Sequence, residues 1–431
     1  MKILFSPAGD TDPVRGFYDG GILHTLRHYG PMDKVIVFLT KDMEIKEKET
    51  ACYTTGIRSV DSSCEIEFIE SGITDPHQFG PLTKLQDAYT NIRKKYPEAE
   101  WYFNLSSGTP QIKTVMALIA LDYSDVKAIQ VASPEKKSNR GNKPWQTKED
   151  LEQMLELNED NEPSSPNRCS ISNLVLLKKH SLTMQIKSLV QNYEYEGALQ
   201  ILRSDKELFS EITEKLLHHA VLRKKLMWKK ANKVISEYEG QPLIRQAGDF
   251  EEFFRNMELY QRKKQLSEFI LKISPLLYRL GRKYLDTLID INQCGYNGEN
   301  TFYIDREKML KNYGSIVRFI EDKLKSDLRK RLTFHIMVVI FWYFNENEKK
   351  NDEKHKKITD ILTKLRTVEK EVRNSIAHEI TNIDEDKIKE RTGGLTSADI
   401  MKLFRKASQL IRGQSIQWDY DNLNEKIINS L

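Results

Sequence analysis

Trp101-Tyr102-Phe103-Asn104-Leu105-Ser106-Ser107-Gly108-Thr109-Pro110-Gln111-Ile112 reads as a strand, a tight turn and the start of a helix. Trp101 to Leu105 is a short apolar run of the kind buried in a sheet. Gly108 lets the backbone turn, Thr109 is a good N-cap and Pro110 suits the first helical position. The helical pattern continues from Ile112 to Leu121. This places a hydroxyl-rich loop at a helix N-terminus, where free N–H groups face an incoming anion; phosphate or ribose is a natural occupant. A well-capped βα turn with no ligand would use the same residue types.

Working outward, apolar runs at Lys2 to Ser6, Lys34 to Thr40, Glu65 to Ile69 and Lys127 to Ala132 alternate with helical patterns at Ile22 to His28 and Leu82 to Tyr96. Strand alternating with helix at this spacing predicts an α/β domain over residues 1–135, a Rossmann-like parallel sheet covered on both faces. Ligands of such sheets bind at the carboxyl ends of the strands. The loop after the first strand, Pro7-Ala8-Gly9-Asp10-Thr11-Asp12-Pro13, is neither G-x-G-x-x-G nor a Walker loop, which disfavours a dinucleotide cofactor or a nucleotide hydrolase.

Composition changes after Glu135. Residues 136–168 read as a polar linker, with Lys136 and Arg140 available to close over a phosphate and Asn158 to Arg168 exposed. From 169 to 295 the helical period dominates, which suggests a helical spacer domain without a fixed repeat. Within it Arg223, Lys224, Lys225, Trp228, Lys229 and Lys230 form either an RNA-touching cluster or the wet face of an amphipathic helix. His180, His218 and His219 lack ligand-like partners. Gly295 to Asn300 reads as a loop, and residues 296–431 as an all-α domain in which Ile336 to Phe344 forms a buried helix with His335 at its edge. Gly393-Gly394 breaks the helices before a last one that begins at Ser397.

Near the C-terminus Arg373-Asn374-Ser375-Ile376-Ala377-His378 forms an R-N-x-x-x-H pattern. Ile361, Leu365, Val368, Val372 and Ile376 make one buried helical stripe, and Arg373 and His378 fall outside it, about 140° apart. One chain holds them too far apart to act together. Two copies facing across a twofold axis would bring the Arg and His of both together. A histidine that titrates near neutrality can then move the 2′-hydroxyl and 5′-oxygen protons of RNA while arginine neutralises a phosphorane, with no metal.

The balance of 67 Lys+Arg against 63 Asp+Glu leaves +4, so no bulk basic charge announces nucleic acid. Cys52, Cys64, Cys169 and Cys294 are scattered without C-x-x-C or zinc spacing, so reduced cytoplasmic thiols are expected. The longest apolar run has nine residues, well short of the about 18 that span a bilayer, and no signal peptide precedes the first strand; neither a membrane nor export is expected. The lack of a helix-turn-helix with a basic recognition helix argues against stable DNA binding.

Asn104 to Gln111, after an opening strand and a Gly9-Asp10-Thr11-Asp12-Pro13 loop, resembles the CRISPR-associated Rossmann fold (CARF). With the C-terminal R-N-x-x-x-H, the domain order resembles the ancillary CARF/HEPN ribonucleases of type III-A CRISPR systems. HEPN stands for higher eukaryotes and prokaryotes nucleotide-binding. The resemblance implies a cytoplasmic homodimer that binds a cyclic tetra- or hexa-adenylate, with no cofactor or metal, and cleaves single-stranded RNA to a 2′,3′-cyclic phosphate. It implies catalytic Arg373 and His378 supported by Asn374. It implies an activator pocket of Gly9, Thr11, Asp12, Ser106, Ser107, Gly108, Thr109 and Gln111, in which Thr109 and Asp12 could also cut the activator. The alternative from the residues is a non-enzymatic nucleotide-sensing regulator with a helical partner-binding half.

Overall fold

Six strands make one sheet: β1 (Lys2–Pro7), β2 (Lys34–Leu39), β3 (Glu65–Glu70), β4 (Glu100–Asn104), β5 (Lys127–Val131) and β6 (Cys169–Ile171). Their order is β3-β2-β1-β4-β5-β6. All neighbours are parallel except β6, which runs antiparallel to β5 with Ile129 opposite Ile171. This is a computed structural model describing every residue except 124, 135–144, 237–247, 299–300, 329, 350–351 and 374–382. It comprises two compact units, Met1–Ser181 and Leu182–Leu431.

Period-two alternation sends β-strand side chains to two cores. Ile3, Phe5, Ile36, Phe38, Trp101 and Phe103 pack on one face, joined by Tyr89 and Met116 of the covering helices. Leu4, Val35, Val37, Leu39, Tyr102 and Ile129 pack on the other, with Ile22, Leu23, Tyr53 and Leu151. The helices of this unit are α1 (Gly21–Tyr29), α2 (Lys41–Thr50), α3 (Cys52–Val60), α4 (Thr83–Lys95), α5 (Pro110–Asp122) and α6 (Lys148–Glu156). The expected parallel sheet is present. Helices α2 and α3 were not legible, because α2 is almost uniformly polar, with only Glu44 buried.

Within residues 158–168, Asn158 and Asp160 correct the sequence expectation. Most of the segment is exposed as expected, but it forms a strap pinned by the buried Asn158 and Asp160 and is followed by β6, the last strand of the sheet. Their acids and prolines look like loop chemistry in sequence, but the carboxylate of Asp160 is neutralised by the fold.

Beyond the sheet the chain is helical. Helices α7 (Val175–Gln191), α8 (Tyr195–Ser204), α9 (Glu211–Lys224) and α10 (Trp228–Ser236) come first. The last helix, α11 (Tyr420–Ser430), returns onto them through Tyr420, Leu423 and Ile427. A second core runs from Phe250 through Leu277 and Met337 to Ile416, so no core boundary exists at 295/296. Gly295–Asn297 is one arm of a short hairpin whose other arm is Phe302–Ile304, which corrects the expected loop. Helix Phe334–Glu346 is buried over most of its circumference, as its apolar sequence requires, and His335 on it is half-buried. Among the described residues, no helix is long and apolar enough to cross a membrane.

Candidate functional site

The chain leaves β1 toward β2 and β3 and later re-enters the sheet at β4 on the opposite side of β1. The loops after β1 and β4 therefore diverge and open a crevice at the strands' carboxyl ends, the switch point where such sheets bind ligands. Backbone approaches backbone closely there. A Cβ on Gly9 would lie 2.6 Å from the Gly108 nitrogen, and one on Gly21 would lie 2.6 Å from Ser107 Oγ. Gly108 has φ +83°, a conformation that favours glycine.

Asn104 braces this junction. Its Nδ2 donates to Ser6 Oγ (3.0 Å) and Ser107 Oγ (2.7 Å), and its Oδ1 accepts from the Ser106 N–H (2.8 Å). Asp12 braces it from the other side, accepting from the N–H groups of Gly9 (3.1 Å) and Ile22 (3.2 Å) at the start of α1. Burial pushes the Asp12 carboxyl above its ordinary value, against the hydrogen bonds from Ser107, Ile22 and Gly9.

The crevice holds a cavity of about 850 Å³. Gly9, Thr11, Ser106, Gly108 and Thr109 line it; Asp12, Ser107 and Gln111 do not. The last three are corrected as pocket residues: Asp12 and Ser107 are buried as braces, and Gln111 Oε1 is buried within the unit. Thr109 Oγ1 caps α5 by accepting from the Ile112 N–H (3.3 Å) and donates to the Pro76 carbonyl (2.8 Å). Thr109 and Asp12 are thus both engaged in hydrogen bonds within the unit.

Sequence reading missed Arg15, Asp42, His77, Lys113 and Arg168, all on the cavity wall. Lys113 had a signal: it lies four residues after the N-cap Thr109, on the same helix face. Burial holds its amine below the ordinary lysine value, while the Asp12 carboxylate opposes the shift. Arg168 had none, because its partners come from distant segments. Asp19, His24 and Asp160 each offer a ligand atom within 4.8 Å of the others. Guanidinium groups already occupy both carboxylates: Arg27 Nε meets Asp19 at 2.8 Å and Arg168 Nη2 meets Asp160 at 2.5 Å. Burial raises the Asp160 carboxyl, but hydrogen bonds from His24, Ser165 and the Asp19 N–H, with the Arg168 charge, hold it well below the usual carboxylate range.

In the second unit, helix Glu353–Val368 widens into a π-helical turn, Glu369–Arg373. Ile361, Leu365, Val368 and Val372 of the apolar stripe are buried. Asn374, Ile376 and His378 lie outside the described residues, as do Lys136 and Arg140. The basic cluster is corrected for its first members. Arg223 is buried and binds Glu252 (2.9 Å) and Asp419 (2.9 Å), and Lys224 pairs with Glu196 (2.9 Å). These partners lie far away in sequence, so neither the RNA nor the solvated reading of them holds.

Three family models match in chain order. They are the Cas_Csm6 CARF domain over residues 65–169, the CRISPR-associated protein Csm6 6H domain over 172–224 and the Cas_Csm6 HEPN domain over 227–428. The CRISPR system endoribonuclease Csm6 of Enterococcus italicus is 32% identical over 332 residues, 75% of this chain and 70% of that protein. The protein of the same name from Mycobacterium tuberculosis is 26% identical over 440 residues, covering 100% of this chain and 98% of that one. A solved structure, Enterococcus italicus Csm6 bound to cyclic hexa-2′-fluoro-hexa-dAMP, aligns over 100% of both chains with a TM-score of 0.68 and 22% identity.

Proposed function

This chain belongs to the Csm6 family of CRISPR system endoribonucleases, and from that premise we propose that it is an RNase switched on by a cyclic oligoadenylate held in the switch-point cavity. One observation carries the reading: the cavity opens where the β1 and β4 loops part, in the unit whose residues 65–169 match the CARF model. Gly9, Thr11, Ser106, Gly108 and Thr109 shape it, and Lys113 and Arg15 supply positive charge for phosphates. Asp10 and Asp42 on the same wall can accept from adenine amino groups. This mixed lining suits an adenylate ring better than a uniformly basic groove does. The non-enzymatic alternative falls with the family assignment.

The catalytic centre, in this proposal, is Arg373 and His378 from each of two chains, supported by Asn374. His378 takes the 2′-hydroxyl proton, the 2′-oxygen attacks the adjacent phosphorus, and the 5′-oxygen leaves with a proton from the imidazole of the partner's copy. Arg373 neutralises charge on the phosphorane. The products are a 2′,3′-cyclic phosphate and a 5′-hydroxyl, and no metal enters. The homodimer is supported by apolar side chains on the first unit that are left in solvent: Leu118, Ile171, Val175 and Leu176, the last 79% exposed.

The test uses labelled single-stranded RNA and excess chelator, with and without cyclic hexa-adenylate. Cleavage that appears only with the ring, persists in chelator and is abolished in His378→Ala supports the proposal. Cleavage that needs a divalent metal refutes the chemistry, and cleavage indifferent to any ring refutes the switch.

A further inference from the structure

Tyr296 pairs with Tyr303 across the hairpin of the helical unit, and Tyr303 in turn pairs with Arg331 on its other side. Directly paired residues of neighbouring strands project to the same face, so the three side chains stand in one row. The Ile304 N–H donates to the Lys330 carbonyl (2.5 Å) and the Leu332 N–H to the Phe302 carbonyl (2.9 Å), which fixes Arg331 in that register. Alternation sends Phe302 and Ile304 into the core and Tyr303 to the opposite face. The two tyrosine rings stack with centroids 5.4 Å apart and planes 20° from parallel. A Cβ on Gly298 would lie 2.6 Å from Tyr303 Cε2, so glycine there leaves the ring its room.

Two facts about this row point to a ligand. Tyr296 is 64% exposed, which leaves one face of its ring open to solvent at the end of the stack. Arg331 is exposed and enters no ion pair among the described residues; its Nε makes one long hydrogen bond, to Thr301 Oγ1 (3.5 Å). Asn297 and Thr301 beside the rings are polar, so the patch offers a protein partner little apolar area. A polymer that alternates flat bases with phosphates meets both groups at once, provided its bases are unpaired. Resting on the endoribonuclease assignment above and not on the switch, we propose that Tyr296, Tyr303 and Arg331 form a stacking platform for single-stranded RNA: an unpaired base lies on the open face of Tyr296 and Arg331 takes an adjacent phosphate. Helix Ile273–Leu285 holds the hairpin, its Tyr278 hydroxyl accepting from the Phe302 N–H (3.2 Å). Two turns on, its Tyr284 hydroxyl meets His355 Nδ1 (2.5 Å) in the first turn of helix Glu353–Val368. Arg373 lies beyond the opposite end of that helix, more than about 20 Å further along it. The platform therefore holds the strand and takes no part in the proton transfers.

The experiment uses the full chain in a His378→Ala background with excess chelator and cyclic hexa-adenylate, so that RNA is bound without being cut. Tyr296→Ala, Tyr296→Phe and Arg331→Gln are added singly. Fluorescence anisotropy follows a labelled single-stranded RNA of about 20 nucleotides and the duplex of the same sequence. Tyr296→Ala weakens single-strand binding about tenfold, the worth of one stacked base, and Tyr296→Phe stays within about twofold. Arg331→Gln lowers the slope of log affinity against log salt by about 0.7, one phosphate fewer. Duplex binding is insensitive to Tyr296, because its bases are already stacked. With His378 restored, Tyr296→Ala raises KM for the single strand and leaves kcat. Single-strand binding by Tyr296→Ala at wild-type strength overturns the proposal. Equal weakening by Tyr296→Phe overturns it too, since a hydroxyl and not a ring face is then being read, and equal weakening toward strand and duplex assigns Tyr296 to the hairpin's folding alone. No detectable RNA binding by any of these proteins also overturns it. Tyr296-dependent binding in a chain that cuts no RNA keeps the platform and overturns the proposed cleavage chemistry.

Discussion

Asn104→Ala tests whether the switch point is held together as described. The side chain is fully buried and makes three hydrogen bonds, to Ser6, Ser107 and the Ser106 N–H. Ser6 Oγ keeps the Pro7 carbonyl (2.8 Å) as a partner after truncation, but the Ser106 N–H loses its bond to the amide oxygen. At about 1 kcal/mol per hydrogen bond, the loss is about 3 kcal/mol. For a unit of this size, where 1 kcal/mol shifts Tm by about 2–4 °C, this corresponds to a fall of about 6–12 °C. Urea unfolding followed by hydrogen exchange on β1 and β4 peptides isolates the first unit from the helical one. Ser107→Ala removes one of the bonds, so the pair Asn104→Ala and Ser107→Ala should be non-additive by about 1 kcal/mol in a double-mutant cycle. A shift below about 1 kcal/mol for Asn104→Ala, or strict additivity with Ser107→Ala, refutes the brace.

His219 and His355 make the helical unit sensitive to acid. Burial, opposed by the Ala231 carbonyl, pushes His219 down to about 4, and burial also lowers His355, whose Nδ1 faces the Tyr284 hydroxyl at 2.5 Å. Both folded values lie below the unfolded 6.5, so their stabilisation is present above pH 6.5 and is lost as pH falls from there toward 4, with His219 alone accounting for roughly 3 kcal/mol at about 1.36 kcal/mol per unit. Urea midpoints at pH 7 and 4.5 measure this, and His219→Gln should flatten the difference. Arg223→Ala leaves Glu252 and Asp419 with Arg255 as their remaining guanidinium and should destabilise the unit by about 1–3 kcal/mol, read as lost exchange protection in α11. Leu176→Asp should shift sedimentation toward monomer and reduce RNase activity in parallel; dimers that persist unchanged exclude this surface.

The parallel sheet was legible because β1, β2 and β4 are apolar on both faces and short, a pattern that few other structures satisfy. The capped helix after β4 was legible from Thr109 and Pro110, since caps are local chemistry. The strap 158–168 was not. Asp160 reads as a solvated acid until Arg168, His24 and the Asp19 N–H are brought to it, and no periodicity encodes that. Arg223 failed for the same reason: its acids lie 29 and 196 positions away. The stripe at Ile361, Leu365, Val368 and Val372 was read correctly, but the widening at Glu369–Arg373 was not. A π-turn changes the residues per turn without changing which ones are apolar.

In the proposed activator pocket, the hydroxyl groups that the sequence marks also build the cavity. Hydroxyl groups looked like the reading surface. In the fold, Ser106 Oγ accepts from the Val131 N–H (2.6 Å), Ser107 Oγ accepts from Asn104, and Thr109 Oγ1 is engaged by Ile112 and Pro76. Each hydroxyl ties one loop to another element, which is how two diverging loops stay at fixed distance across a crevice. On the proposed reading, charge recognition then falls to groups such as the desolvated amine of Lys113. The consequence is a split between two kinds of variant. Thr109→Val should lower stability and ligand affinity together, because the frame moves. Lys113→Gln should lower affinity and leave the melting temperature unchanged or higher, because relieving a half-buried charge removes a desolvation penalty. A Lys113→Gln protein that binds the ring normally but melts early would place the lysine in the frame and undo the division.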